Sequence, residues 1–314
     1  MGENMAANLE VIPTGNALGA EVCGVDLSKN LPDALVGKLT DVWAQHLVLL
    51  FRDQEMTDDL IIKMADYFGG HQAGGARMRR RAVGLQEYGK GTPRDERINY
   101  VSNLDDDGKP APRNVGTGSS ELRWHSDNTY AEVPPTGTLL WAGQVPDDDS
   151  GQTLFCNQVL AYEELPNDLR RAITGKHFRH DGSRTSAEFL HSDRTMPKTL
   201  ADISGAVHPA LRIHPVIGKP VLFLGLRSNW PSIHIVEMPN DEGEDVMDRL
   251  WAHATQEKYV WAHRWRPRDL LMWDNRAVMH RRTAINPDQP RVMHRTLIKG
   301  DPVISAWEID AAAE

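Results

Sequence analysis

The seven residues Trp124 to Tyr130, WHSDNTY, place a histidine and an aspartate two apart beside a tryptophan. In a strand, alternate side chains share a face, so His125 and Asp127 would project together and Ser126 away from them. An imidazole and a carboxylate converging on one point make half of a metal site. The ordinary alternative is a hydrogen-bonded His–Asp pair, and with 13 histidines in the chain some His-x-Asp arises by chance. A second stretch, DLLMWDNRAVMHRRTAINPDQPRVMHRTLIKG, reads as a strand, a turn, His280 just beyond it, and a further strand carrying Arg291 and Arg295. Four apart on a strand, these arginines face one way and His294 the other. Buried arginines need anions. The partners are either internal Asp and Glu side chains or two bound anions.

Two histidines and one carboxylate, with the rest of the coordination sphere open, suit the non-heme Fe(II) oxygenases. Zinc enzymes use similar ligands, so the triad alone does not choose the metal. The arginine pair does. An enzyme that uses 2-oxoglutarate must hold the distal carboxylate of that cosubstrate, and a buried Arg does so with two parallel N–H···O bonds. The other Arg can then hold an anionic substrate.

The elements that must position these groups are legible in outline. LEVIPT and GAEVCGVDL read as short strands with Gly-rich turns between them. LPDALVGKLTDVWAQH reads as a helix with Pro32 near its start and Leu35, Leu39 and Val42 on one face. LVLLFRD has the length and continuous apolarity of a buried strand. DDLIIKMADYFGG reads as a second helix, capped by Asp58 and stopped by Gly69 and Gly70. From about residue 98 short β-like runs recur, among them INYVSN, GTLLWAGQV, QTLFCNQ, KHFRHD, ALRIHPV, PVLFLG and YVWAHRW. Turns rich in Gly, Pro and Asp separate them, a texture that suggests a sandwich or barrel. Helical inserts fall at about 158–175 and 240–256. The polar, irregular segment 183–208 is a candidate lid or a plain surface excursion.

The 314 residues suffice for one large domain or two small ones, with 40% hydrophobic and 25% charged residues as in ordinary globular chains. No window approaches the run of about 20 apolar residues that spans a bilayer. The N-terminal MGENMAANLEV shows no signal-peptide pattern, and Ala6 breaks the myristoylation pattern. Two cysteines, Cys23 and Cys156, give neither a disulfide framework nor a zinc cluster, and a reducing cytoplasm fits best. A formal net charge of −9 argues against a general nucleic-acid binder. The cluster Arg77, Arg79, Arg80 and Arg81 reads as a solvated loop or as a flap that attracts an anionic substrate.

Taken together, these residues resemble the taurine dioxygenase family of Fe(II)/2-oxoglutarate-dependent oxygenases, which includes the herbicide-degrading aryloxyalkanoate dioxygenases. WHSD is separated from a distal His in WDNRAVMH by 155 residues, and Arg291 and Arg295 follow that His at 11 and 15 residues. GQTLF supplies the small Gly-x-Thr motif, and HPALRIHPVIGKPVLF and GAEVCGVDL also read like family segments. The resemblance runs from about residue 9 to 303.

It implies a mixed α/β fold with a double-stranded β-helix (jelly-roll) core and flanking helices, forming one catalytic domain over 1–314 with a flexible tail at 304–314. It implies that His125, Asp127 and His280 bind Fe(II), which 2-oxoglutarate chelates. Arg291 and the Thr153 hydroxyl would hold the distal carboxylate, and Arg295 the anionic group of the substrate. His71 lies near a region where the taurine enzyme has a substrate-contacting histidine, though FGGHQ matches poorly there. Arg295 has a second reading, support of the cosubstrate pocket. Trp124 and Trp273 would pack beside the metal strands. Glu121 would line the pocket or face solvent.

The implied reaction consumes O2 and 2-oxoglutarate, releases CO2 and succinate, and hydroxylates a substrate C–H. A hydroxylated carbon bearing oxygen or sulfur would then collapse with C–O or C–S cleavage. The carboxylate at 127 favours hydroxylation over halogenation. The expected substrate is a small carboxylate or sulfonate, and the expected assembly is a homodimer or homotetramer without nucleic-acid or membrane partners. A competing reading is a non-catalytic metal-binding module of the same fold. A zinc hydrolase is a weaker one, since no HExxH motif is present.

Overall fold

The computed structural model describes residues 9–72, 95–105, 107–110, 118–191 and 193–307. In chain order the elements are β1 (Glu10–Pro13), β2 (Ala20–Cys23), α1 (Asp33–His46), β3 (Val48–Phe51), α2 (Asp58–Tyr67), β4 (His71–Gln72), β5 (Asn99–Ser102), β6 (Gly137–Gln144) and β7 (Thr153–Asn157). There follow α3 (Gln158–Glu163), α4 (Asn167–Ile173), β8 (His177–Arg179), β9 (Val207–Pro209), β10 (Leu211–Ile213), β11 (Pro220–Leu222) and β12 (His234–Ile235). The chain continues with α5 (Asn240–Ala254), β13 (Val260–His263), β14 (Leu270–Asp274), β15 (Val278–Arg282) and β16 (Val292–Ile298). The fold is mixed α/β, with one large sheet and three small ones among the described residues.

The large sheet runs β1-β2-β3-β14-β6-β16-β4, with β5 also paired to β16. Its central strands are buried on both faces, which explains their unbroken apolar runs. Leu49, Phe51, Leu139, Leu270, Met272 and Ile298 pack with Leu35, Leu39 and Trp43 of α1 and Ile61, Ile62 and Ala65 of α2. The other face presents Val48, Leu50, Leu140, Leu271, Trp273 and Met293 to Phe155, Trp261 and Val278 of the small sheet β13-β7-β15. The outer face of that small sheet, with Cys156 and Met279, packs against α3, α4 and α5 through residues such as Ala161, Leu169 and Leu250. Two sheets therefore face each other with helices outside both. Each large apolar side chain buried in these layers stabilises the fold by about 1.5–3 kcal/mol.

Several local expectations are corrected. Thr57, not Asp58, caps α2, its hydroxyl accepting from Leu60 N–H at 3.3 Å; Asp58 and Asp59 lie in the first turn, where negative charge suits the helix dipole. WHSDNTY is not a strand. Only His125 pairs, in an isolated bridge with His280, and a turn follows with Asn128 at φ 50°. The insert at 158–175 is two short helices. Arg291 lies just before β16, and a bulge between Val292 and Met293 separates it from Arg295. The expected tail begins in a pinned segment: Ser305 bridges to Arg212 and Ala306 N–H bonds Leu211 O at 3.1 Å. The Arg77–Arg81 cluster lies outside the described residues. No described helix is long and apolar enough to cross a membrane.

Candidate active site

The isolated bridge between His125 and His280 decides the geometry. Their backbone amides exchange hydrogen bonds of 3.0 and 2.7 Å, which brings two residues far apart in sequence side by side. The imidazoles stand 4.2 Å apart between ring centres. His280 sits on β15 opposite Phe155 of β7, wedged against Phe155 and Trp273. Ser126 points the other way and donates to Val278 O at 2.8 Å, so the His-x-Asp alternation holds although the segment is not a strand. One donor atom from each of His125, Asp127 and His280 lies within 4.8 Å of the other two, and this is the cluster of its kind found among the described residues.

The protonation state suits a cation. Burial pushes the His280 pKa down to about 3, with His125 adding to the effect, and burial likewise lowers that of His125. Both rings are therefore uncharged at neutral pH and carry a free lone pair. His125 Nδ1 lies 2.7 Å from Arg123 O and so carries the proton, which leaves Nε2 bare; that atom faces Asp127 Oδ1 at 3.9 Å. Burial alone would raise the Asp127 pKa. Arg295 above all, with lesser help from the histidines and the Thr138 hydroxyl, outweighs it and holds the carboxyl at about 2. Uncharged imidazoles beside an ionised carboxylate are the forms that ligate metals.

The arginines occupy distinct settings. Arg295 Nη1 stands 3.5 Å from Asp127 Oδ1, with a quarter of its side chain exposed, while His294 points to the other face and bonds Asp58 at 2.6 Å. Arg291 is buried, with Nε unbonded and no ion pair among the described residues. Burial, with Arg282 nearby, pushes its pKa well below the usual value. Gly151, at φ +72°, passes so close that a Cβ there would lie 3.2 Å from Arg291 Cδ and Nε. Trp265 flanks the same guanidinium at 5.9 Å and donates to Thr153 Oγ1 at 3.0 Å. Thr153 and Arg282 are direct cross-strand partners, two positions along from Phe155 and His280, so all four share a face.

The chain matches the family model described as Taurine catabolism dioxygenase TauD, TfdA family, over residues 10–297. The chain belongs to this family. It is 30% identical over 302 residues to the alpha-ketoglutarate-dependent 2,4-dichlorophenoxyacetate dioxygenase of Cupriavidus pinatubonensis, covering 93% of this chain and 98% of that protein. It is 28% identical over 309 residues to the (S)-phenoxypropionate/alpha-ketoglutarate-dioxygenase of Delftia acidovorans, covering 95% and 97%. The crystal structure of AAD-2 in complex with Mn(II) and N-oxalylglycine matches with a TM-score of 0.76 at 27% identity, over 95% of this chain and 99% of that one.

As a member of the TauD/TfdA family the chain is a 2-oxoglutarate-dependent non-heme iron dioxygenase, with Fe(II), 2-oxoglutarate and O2 as its cofactor and cosubstrates. The residues present fit that chemistry. The three donors converge, and Arg291 is a buried cation with no anionic partner among the described residues. His71 is not drawn into the cluster: it lies on β4 opposite Ile298, with Nδ1 2.8 Å from Asp66. Glu121 is largely exposed and pairs with Arg281, so it faces solvent. Trp273 is core, as expected, and Trp124 packs partly buried beneath Arg281. Sequence reasoning missed Trp265, Arg282, Thr138 and Asn275. Asn275 stands in the quoted WDNR motif, whereas only the strand pairing reveals Thr138, which lies opposite Trp273.

Proposed function

We propose that this dioxygenase hydroxylates a C–H bond of a small anionic substrate, a carboxylate or sulfonate of the aryloxyalkanoate or taurine-like kind, with C–O or C–S cleavage where the hydroxylated carbon bears a heteroatom. The observation that carries the reading is the pairing of a convergent His125–Asp127–His280 cluster with two arginines, Arg291 with no ion pair among the described residues and Arg295 with only a loose approach to Asp127. The three cluster residues hold Fe(II). Arg291 and the Thr153 hydroxyl take the distal carboxylate of 2-oxoglutarate, and the relief of a buried unpaired cation favours that binding. Arg295 reaches the anionic group of the substrate, and His71 is a more distant candidate contact. The family membership and the two facing sheets support a jelly-roll core in a single catalytic domain.

Bound at this site, iron with 2-oxoglutarate supplies the oxidising power, and one turnover converts O2, 2-oxoglutarate and substrate into CO2, succinate and hydroxylated product. The chain orients and shields. Phe155 and Trp273 close one side of the cluster to water. The segment 183–208 is the candidate lid. Its Ser186 carbonyl and Glu188 carboxylate hold Arg123, two residues before His125, at 2.8 and 2.9 Å. Movement of that segment would reach the site through Arg123.

The test is anaerobic. Fe(II) and 2-oxoglutarate added to the protein should produce a weak visible charge-transfer band, weakened in Asp127→Ala and in Arg291→Ala. Carboxylates and sulfonates that shift the band are then assayed for succinate release in air. Absence of the band in a folded protein that binds zinc tightly instead would overturn the reading.

A further inference from the structure

Asp127 has two oxygens, and the surrounding structure treats them differently. Oδ1 faces His125 Nε2 at 3.9 Å and Arg295 at 3.5 Å. Oδ2 accepts the Thr138 hydroxyl at 2.8 Å. Thr138 Oγ1 in turn accepts from Asn275 Nδ2 at 2.9 Å, and Asn275 Oδ1 accepts from Trp273 Nε1 at 2.9 Å. Thr138, Asn275 and Trp273 are all buried to within 2% of completely.

The direction of this chain follows from its far end. An indole N–H can only donate. It therefore fixes which end of the Asn275 amide faces Trp273, and the amide NH2 must face Thr138. A hydroxyl has one proton. With Asn275 donating to it, Thr138 directs that proton to Asp127 Oδ2. The turn carrying Asn275 cannot readily reorient. Its amide N–H bonds Thr136 O at 3.0 Å, and Arg212 bonds the carbonyls of Asn275 and Arg276 at 2.6 and 2.9 Å.

We infer that Trp273, Asn275 and Thr138 form a one-directional hydrogen-bond relay that occupies Asp127 Oδ2 and presents Oδ1 alone to the metal. The inference rests on Asp127 being a metal ligand, as proposed above. Thr138 and Asn275 are positioning residues. The relay fixes the carboxylate rotamer and keeps the second oxygen from competing for the cation. The residue pattern of the WDNR segment thereby acquires a role besides carrying the chain toward His280.

The test measures Mn(II) binding to the full chain without cosubstrate, by loss of the free-ion electron paramagnetic resonance signal, with apoprotein melting recorded beside it. Thr138→Val keeps the shape and removes the proton. Asn275→Asp presents only acceptors, so the Thr138 proton turns away from Asp127. Both should weaken Mn(II) binding by about 10–100-fold, the usual cost of losing an outer-shell partner. Thr138→Ser, which retains the hydroxyl, should stay within about threefold of the unaltered protein, on the same outer-shell argument. A folded Thr138→Val with unchanged affinity overturns the relay, as does a Thr138→Ser loss equal to that of Thr138→Val. If Thr138→Val does not fold, Asn275→Asp decides: unchanged affinity there overturns the inference. Asp127→Ala separates the two levels. Unchanged Mn(II) affinity in that variant overturns the ligand assignment itself, whereas a loss there with none in Thr138→Val overturns the relay alone.

Discussion

Two buried aspartates close to the inter-sheet layer are built to opposite ends. Asp274, at the end of β14, is saturated by its own chain. Arg276 donates to it through its backbone N–H and two side-chain nitrogens at 2.6–2.9 Å, and His214 Nε2 donates at 2.9 Å. His214 is fixed in turn by the amides of Val216 and Ile217, each 3.3 Å from Nδ1. Asp127 has one firm hydrogen bond, from Thr138, and a looser approach from Arg295. Both carboxyls are held below the ordinary range despite burial, Asp274 chiefly by Arg276 and Asp127 chiefly by Arg295. The shared shift therefore does not separate them. What separates them is completeness: Asp274 closes a knot that holds the turn between β14 and β15, and Asp127 leaves an oxygen turned toward the bare Nε2 of His125.

The strongest way to break that contrast is to neutralise each acid in turn. Asp127→Asn keeps an acceptor for Thr138 but removes the charge that faces the part-exposed Arg295, so the apoprotein should lose no more than about 2 kcal/mol in urea unfolding, the worth of one charge-assisted hydrogen bond. Its Fe(II) binding and succinate release should fall by more than about 100-fold, beyond the loss of any outer-shell partner. Asp274→Asn should do the reverse. It leaves Arg276, mostly buried, without its nearest counter-charge and should cost about 3–5 kcal/mol. The same variant changes the acid limb. Because the folded-state pKa of Asp274 lies below the unfolded one, its stabilisation is complete above about pH 4 and is lost as pH falls below that. Unfolding midpoints should depend less on pH there in Asp274→Asn. If both variants lost stability equally, the contrast would collapse.

Arg291 sharpens the comparison from the cationic side. It is as buried as Asp274 yet has no ion pair among the described residues. Replacing a buried charge by an apolar side chain of similar length is often neutral or stabilising by about 1–4 kcal/mol. Arg291→Met should accordingly melt at the same temperature as the unaltered protein or higher. Its KM for 2-oxoglutarate should rise by about 10–100-fold, from loss of a charge-assisted hydrogen bond of roughly 1.5–3 kcal/mol. A lower melting temperature with an unchanged KM would make Arg291 a structural residue and assign the distal carboxylate elsewhere.

What could be read from the chain and what could not divide along the same line. His125, Asp127 and His280 were legible because residue type and local parity survive folding, even where the supposed strand is a bridge and a turn. Arg291 and Arg295 were legible from spacing, though the bulge before Met293 means that strand parity alone does not relate their directions. β3 and β14 announced themselves as continuous apolar runs because both faces are covered. Thr138 was not legible. It is an ordinary threonine in a β-rich run, and its contact with Asp127 depends on how an irregular turn is laid over β6. Thr57 lost its cap role to Asp58 in the reading because both residue types cap helices and only the hydrogen bond to Leu60 separates them. The pairing partners of Glu121 and His71 were equally invisible, since neither Arg281 nor Asp66 is marked by any local pattern.

His180 gives the smallest and most specific test, because it is a buried ionisable group with neither kind of solution. It is 1% exposed, and neither ring nitrogen has a hydrogen-bond partner among the described residues. It packs among His208 and Phe223, and Gly225 approaches so closely that a Cβ there would lie 2.3 Å from its Nδ1. Burial, with His208 and Arg212 nearby, holds its pKa well below the usual 6.5. The unfolded chain therefore takes up a proton below that pH while the folded one does not. Stability contributed by the uncharged ring is complete above about pH 6.5 and falls by up to about 1.4 kcal/mol per pH unit below it. His180→Leu removes the titrating group and keeps an apolar side chain of similar bulk. Its unfolding free energy should fall less steeply than that of the unaltered protein between about pH 6.5 and 5. His125 and His280, also held uncharged by burial, contribute a residual slope of the same sign. An unchanged slope in His180→Leu would mean that the folded protein already accommodates the proton, which would place His180 with the partnered groups rather than opposite them.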